Sequence, residues 1–564
     1  MMNSKSEFTP DWTDQAPEPG TYRSIAKFGD PNLFRHPGQG WIDTFVHEFG
    51  MTQADFQNKQ NEGNRQVRLN RPGNLQPEHI AGLTAIVGKD NVAQDDYSRV
   101  KYSSGKMLEE SIELRQGIVR EVSDVVVHPR TKQDVAEIVR YCNAERIPVT
   151  VFSGGSSCNF GCRPMKGGVS LVMSTHMNQL LSVNEHNQTA RVQPGMFGPA
   201  YEKALNGAPT GFGTTHRFTA GHFPQSFEYS TVGGWVVTLG SGQASTYYGD
   251  AYDIVFAQEY VTPAGNFQTL EFPASATGPK INDIMKGSEG TFGILVEVTM
   301  KVFRFLPENR ERFSLMFPSW EAAVDACREV IQGEFGRPAV FRISDAEETE
   351  RGLRHYGLPA LAEKYLSLRG MVPMQRCICM GTVEGERDYT KLVVRKLKRI
   401  ARAHGAISLG ASAVQKWEKT RYIEPYIRED LCEFGIVFDT LEAGVTWDNV
   451  HRLHKAVRAF IKSRPGTICM THASHFYPQG TNLYFIFGGR MELDEFRVFL
   501  SNIVDVMVAN GGSLSHHHGV GRLLAPWMER TLGKEQMAVL RAIKRHFDPN
   551  NIMNPGGQLG LDQI

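Results

Sequence analysis

The sequence predicts an α+β protein of more than one domain. Before residue 306, three short runs of small residues each follow or open a β-branched strand. Near Leu306-Pro307 the composition shifts. From there to about residue 510, strands and amphipathic helices alternate without another such loop. At 564 residues the chain is also too long for one ordinary core.

Composition narrows the function. Hydrophobic residues make up 41% and charged residues 22%, as in a soluble globular protein. Lys+Arg and Asp+Glu both count 61, and this balance argues against nucleic acid as a partner. The eight Cys contain no C-x-x-C pair, so neither a disulfide framework nor a zinc site is read from them. Cys377 and Cys379 are expected on one face of a strand. No apolar run reaches the ~18 residues that span a bilayer, so no transmembrane segment is expected. Met1 to Pro10 has no apolar core of a signal peptide, and Leu561-Asp-Gln-Ile564 is no peroxisomal address, so a cytoplasmic location is expected.

Residues 1–75, rich in Pro, Gly and Asn, read as an irregular arm on the surface. Helical spacing runs from Leu75 to Gln116, closed by Gly117. Val122 to Val127 is a strand stopped by Pro129. Thr131-Lys-Gln-Asp134 resembles an N-cap box, and Val135, Ile138, Val139 and Cys142 follow at helical spacing. Ile147 to Val151 is a short buried strand. It ends in the first small-residue loop, Phe152-Ser-Gly-Gly-Ser-Ser-Cys158-Asn-Phe-Gly161. Further strands are predicted at 169–173, 180–184, 189–193, 254–260, 265–270 and 294–302, with a helix from Gly198 to Leu205. The last 55 residues or so read as a helical tail.

The first loop suits a diphosphate, because consecutive N–H groups of a Gly-rich turn can converge on anionic oxygens. It has neither G-x-G-x-x-G spacing nor the Gly-Lys-Ser/Thr ending of an ATP-type loop. The second loop is Pro224-Gln-Ser-Phe-Glu-Tyr-Ser-Thr-Val-Gly-Gly-Trp235, and the third Lys286-Gly-Ser-Glu-Gly-Thr-Phe-Gly293. Near the C-terminus stands Gly511-Gly-Ser-Leu-Ser-His516-His517-His518-Gly-Val-Gly521.

Three such loops followed by a mixed domain resemble the FAD-binding proteins of the vanillyl-alcohol oxidase type. The second and third loops, the His triplet and Tyr102-Ser-Ser-Gly-Lys-Met-Leu-Glu-Glu-Ser-Ile-Glu-Leu-Arg-Gln-Gly117 look, more closely, like the alkyldihydroxyacetonephosphate synthase family, over roughly 95–560. The resemblance implies a two-subdomain FAD-binding domain over 116–306 and an α+β substrate (cap) domain with an antiparallel sheet over 307–510. An N-terminal arm and helical region occupies 1–115. A helical segment over 511–564 completes the active site. The implied reaction is redox-neutral: flavin N5 attacks the dihydroxyacetone carbon of an acyl ester, the carboxylate leaves, and a long-chain alcohol replaces it.

The FAD contacts it implies are Ser153, Gly154, Gly155, Ser156, Ser157 and Asn159 in the first loop. The second loop adds Ser226, Ser230, Thr231, Gly233 and Gly234, and the third Glu289, Gly290, Thr291, Gly293 and Ile294. The implied catalytic residues are Arg342 near the flavin ring, Arg428 on the phosphate, Tyr484 as acid/base, His516, His517 and His518, and His222 beside the flavin. Consecutive His residues cannot all face one site, so two of the three are expected there. Ser156 stands where covalently linked relatives carry a His, and Tyr229-Ser230 where others carry a Cys, so FAD is expected to be non-covalent.

The chain departs from the family pattern at His222-Phe-Pro-Gln-Ser226, where two carboxylates are missing, and at His472, where animal enzymes carry Arg. His472 and His475, three residues apart, leave metal binding or simple proton transfer open, and no metal ligand set is assigned. These departures keep an alternative in view: an FAD-dependent oxidoreductase acting on a 2-hydroxy acid or other alcohol. A homodimer and a peripheral contact with membrane are the expected associations.

Overall fold

The computed structural model describes Phe8 and residues 10–561. Two main sheets build the N-terminal part, beside a two-stranded pairing of Phe218–Thr219 with Phe303–Arg304. In the first, strands Val125–Val127, Val169–Val172 and Val149–Phe152 pair in parallel, with Val92–Ala93 antiparallel at one edge. Val125–Val127 and Val169–Val172 are Val-rich and fully buried, as a parallel sheet covered on both faces requires. Helix Lys132–Ala144 makes the crossover and buries Val135, Ile138, Val139 and Cys142. Thr131 caps it by accepting the Asp134 N–H at 3.1 Å. The return arm of the expected box goes elsewhere: the Asp134 carboxylate accepts the N–H of Arg130.

The second sheet is antiparallel, with five strands in the order 180–184, 189–192, 294–301, 255–262, 265–268. It contains the hairpins expected from the sequence.

Beyond Phe305 a seven-stranded sheet takes over, in the order 407–410, 311–317, 377–383, 340–344, 467–477, 480–490, 436–446, with every pair antiparallel. Side chains alternate across it. Cys377 and Cys379 share the fully buried face of their strand and join the main hydrophobic core, while Ile378 and Met380 line a cavity. Register aligns Ser344, His472, Tyr484 and Glu442 as one row across four adjacent strands.

Two expectations are corrected. The first residues are more than a surface arm. Helix Gln39–Phe49 buries Ile42, Phe45 and Phe49, which pack with Ile427, Phe438, Ile468 and Met470. Each such burial contributes roughly 1.5–3 kcal/mol. Abundant Pro, Gly and Asn around this helix hide its i, i+3, i+7 apolar spacing. The C-terminal segment is only partly helical. Helices Met528–Leu532 and Lys534–Phe547 are flanked by the irregular 511–523 and by a run that lies beside Val149. There the Val149 N–H donates to the Ile552 carbonyl, and the Asn554 N–H to the Val149 carbonyl. The buried pair Lys544–Asp548, at 2.6 Å, holds that turn. Among the described residues, no helix is long and apolar enough to cross a membrane.

Candidate active site

A cavity of about 830 Å³ lies between the three loops and the inner face of the seven-stranded sheet. That volume suits a small-molecule site. The first loop forms one wall, where strand Val149–Phe152 ends. A Cβ on Gly154 would stand 2.5 Å from the Tyr229 carbonyl oxygen, so only glycine lets the first loop touch the second. Thr231 Oγ1 donates to Ser153 Oγ at 2.8 Å and cross-links the two loops. No backbone acceptor among the described residues takes the N–H of Gly154, Gly155 or Ser156. Such unspent donors on a cavity wall make an anion cradle.

The third loop has a second task besides lining the cavity. Burial pushes the Glu289 carboxyl up to about 7. Its oxygens accept the N–H groups of Val520, at 2.7 Å, and Gly521, at 2.8 Å, so it also ties the loop to the segment that carries the His triplet. Asn159 Nδ2 donates to the His518 carbonyl at 2.9 Å. A Cβ on Gly521 would stand 2.0 Å from the Asn159 carbonyl oxygen, which makes that glycine obligatory.

Glu442 anchors the His triplet, and sequence reasoning missed it. It is 2% exposed. Its Oε1 accepts the Ser515 hydroxyl at 2.8 Å and the N–H groups of His516, His517 and His518 at 3.0, 3.0 and 3.1 Å. Burial opposes its charge, yet the His518 and His516 rings and these N–H donors hold its carboxyl below the usual range. The signal in the sequence was slight: an acid inside the apolar strand Ile436–Thr446.

The anchored triplet splits. His517 and His518 line the cavity, while His516 turns behind it, with Nε2 2.8 Å from the Tyr477 hydroxyl and Nδ1 3.0 Å from His517 Nδ1. Burial and the neighbouring imidazoles push His517 well below its ordinary value. The ligand atoms of Glu442, His516 and His517 lie within 4.8 Å of one another. We assign no metal to this group, because the Glu442 oxygens are already spent on the loop. Neither His472 nor His475 belongs to it.

Tyr484 lines the cavity, donates to Thr440 Oγ1 at 3.1 Å, and is pushed up by burial. Its ring stacks on His472, with centroids 4.8 Å apart. Arg342 is ion-paired with Glu348, which also meets His472 Nδ1 at 3.1 Å. Burial opposes charge on Glu348, but the Arg342 guanidinium and His472 together bring it down to about 2. His475 Nδ1 lies 2.6 Å from Ser245 Oγ and 3.0 Å from Ser241 Oγ. Arg428 lines the cavity with Nη1 3.8 Å from Asp439, while its Nε and Nη2 are buried without a hydrogen-bond partner.

The remaining predicted contacts divide clearly. Ser153 to Ser157, Asn159, Ser226, Ser230, Thr231, Gly233, Gly234, Glu289, Gly290, Gly293 and Ile294 all line the cavity. Thr291 does not reach it, because its hydroxyl closes the turn onto the Ser288 carbonyl at 2.7 Å. His222 does not reach it either. It is 0% exposed, packed against Trp235 at 4.7 Å, and burial pushes it down to about 3. A cavity wall made of small residues, Gly240 among them, stands in front of it.

Residues 123–271 match the FAD binding domain family, and residues 306–557 match the C-terminal domain of FAD linked oxidases. An alkyldihydroxyacetonephosphate synthase of Dictyostelium discoideum is 31% identical, over 86% of this chain and 81% of that protein. A glycolate oxidase subunit of Bacillus subtilis is 25% identical, over 85% of this chain and 96% of that protein. A solved alkyldihydroxyacetonephosphate synthase superposes with a TM-score of 0.80 at 26% identity, covering 94% of this chain and 98% of that one. The loop cradle, the anchored His triplet and these similarities agree: the chain belongs to the alkyldihydroxyacetonephosphate synthase family of FAD-dependent enzymes.

Proposed function

We propose that this protein exchanges the acyl group of acyl-dihydroxyacetone phosphate for a long-chain alcohol, a step of ether lipid synthesis. Arg428 carries the reading. A buried guanidinium with Nε and Nη2 unpartnered is costly unless an anion meets it, and a phosphate monoester is such an anion. Apolar side chains of the same cavity, among them Met316, Ile378, Met380, Leu409 and Trp417, suit the acyl or alkyl chain.

The donor set fits FAD. The N–H groups of Gly154 to Ser156 and the Ser153 hydroxyl, whose hydrogen stays free because its oxygen accepts from Thr231, would hold its diphosphate, while Arg342, Tyr484, His517 and His518 would flank the ring and substrate. Bound there, FAD supplies an electron-rich ring nitrogen as a nucleophile toward carbon. Arg428 fixes the phosphate and thereby the position of the dihydroxyacetone carbon. Tyr484, kept protonated by burial, is a proton donor, and the neutral imidazole of His517 can accept a proton.

This reading includes non-covalent FAD, a homodimer, a cytoplasmic location and a peripheral contact with lipid. The last is supported by helix Ala360–Leu368, where Leu361 is 82% and Leu368 77% exposed beside the cavity-lining Ala362 and Leu366.

The test is an anaerobic turnover with acyl-dihydroxyacetone phosphate and a fatty alcohol. Fatty acid and alkyl ether should form in equal amounts with no electron acceptor consumed. Steady reduction of an artificial acceptor by a 2-hydroxy acid, with no ether formed, would replace this reading with the oxidoreductase alternative.

A further inference from the structure

His472 stands where strand register joins it to Ser344 on one side and Tyr484 on the other. Its Nδ1 is 3.1 Å from Glu348 Oε1. That carboxylate is ionised, because Arg342 pairs with it, and an ionised carboxylate only accepts. The hydrogen of this contact therefore sits on Nδ1. In the neutral imidazole this leaves the lone pair on Nε2. Nε2 meets no hydrogen-bond partner among the described residues, and the ring lines the cavity. Both halves of the arrangement are buried: His472 is 7% and Glu348 9% exposed.

We propose that His472, oriented by Glu348, is the proton acceptor for the alcohol that enters the cavity. This rests on the acyl-exchange reading above. The alcohol O–H bond breaks and its proton goes to Nε2. The oxygen's electron pair forms the new C–O bond to the carbon that the carboxylate has left. The imidazolium so formed is paired with Glu348 and later gives its proton to water. No oxidant or reductant is needed. Glu348 is a positioning residue: it sets the tautomer and stabilises the charge that appears on the ring.

The groups that face His472 have opposing effects. Burial and the Arg342 guanidinium push it down, while Glu348 and Asp345 on helix Ala346–Tyr356 and its N-cap push it up. Tyr484 stacks on its face, and His475 and His517 complete its titratable surroundings. Removing the charge of Glu348 therefore lowers the pH at which the ring gains its proton.

The experiment uses FAD-loaded enzyme and follows release of the labelled acyl chain separately from incorporation of a labelled alcohol. In His472→Gln and Glu348→Gln the ratio of alcohol incorporation to acyl release, both measured in the same variant, should fall about 100-fold from the wild-type ratio. In Glu348→Gln the rising limb of the alcohol step should move to lower pH, by about one unit. Nitrogen-15 histidine spectra, with His472 assigned by its loss in His472→Gln, should show Nε2 unprotonated in the wild type. The same midpoint shift should appear in Glu348→Gln. Where Glu348→Gln does not fold, Glu348→Asp keeps the charge and should retain the wild-type limb. An undiminished ratio in both Gln variants, or a proton resident on Nε2 at the working pH, overturns the proposal. Absence of acyl release from the wild type overturns the acyl-exchange reading instead, and the spectra then decide the Glu348–His472 pair alone.

Discussion

Glu442→Gln tests whether one buried carboxylate shapes the site. In the wild type, Oε1 and Oε2 both accept the His516 N–H, and Oε1 also takes those of His517 and His518. Glutamine removes the charge and turns one oxygen into an NH2 group. Wherever that group points, it opposes the His516 donor. The cheapest orientation puts the NH2 group at Oε2, where it opposes only the His516 N–H, and keeps the carbonyl at Oε1 for the other contacts; that one conflict and the lost charge on the acceptor cost about 2 kcal/mol. For a unit of about 250 residues this lowers the melting temperature by roughly 4 °C or more. The sign of the pH dependence follows from the carboxyl being held below its ordinary value of 4.5. A group depressed in this way stabilises the fold above its unfolded value and loses that contribution as pH falls through the folded value. The gap in melting temperature between wild type and variant should therefore be full near neutrality and should close on acidification below that ordinary value. Alcohol incorporation should fall with it, since His517 and His518 lose their support. A variant that melts with the wild type at neutral pH and keeps its turnover would refute the anchor.

Arg428→Ala should cost about 3–4 kcal/mol of substrate binding, two to three decades in kcat/KM for the phosphate ester, through loss of charge-assisted hydrogen bonds. Inhibition by inorganic phosphate should disappear in parallel. Gly154→Ala places a Cβ 2.5 Å from the Tyr229 carbonyl oxygen, so the purified variant should retain little flavin, as read from its visible absorbance against protein. His222→Phe should keep both flavin and turnover, because the ring packs on Trp235 behind the cavity wall; a loss above tenfold would return His222 to the site.

The three loops and the Cys377/Cys379 face were legible because each depends on local requirements. A tight approach needs glycine, and a strand alternates sides every residue. The His triplet was legible as a motif, and its division into two inward rings and one outward was expected from consecutive positions. Which ring turns away was not. His516 points toward Tyr477, a choice made by the path of 511–523 over Glu442. Helix Gln39–Phe49 was hidden by the composition around it, although its spacing was present.

By itself, then, the sequence determined that small-residue loops end buried strands, that a mixed domain follows them, and that Arg, Tyr and His side chains suited to phosphate and proton chemistry stand in family-like motifs. Only the tertiary structure decided which of these meet. Glu442 reaches His516 across 74 positions of chain, and Glu348 reaches His472 across 124. Those encounters are set by the antiparallel register that aligns Ser344, His472, Tyr484 and Glu442 in one row. Register is a property of the assembled sheet, fixed by the packing of both its faces, and no window of neighbouring residues contains it.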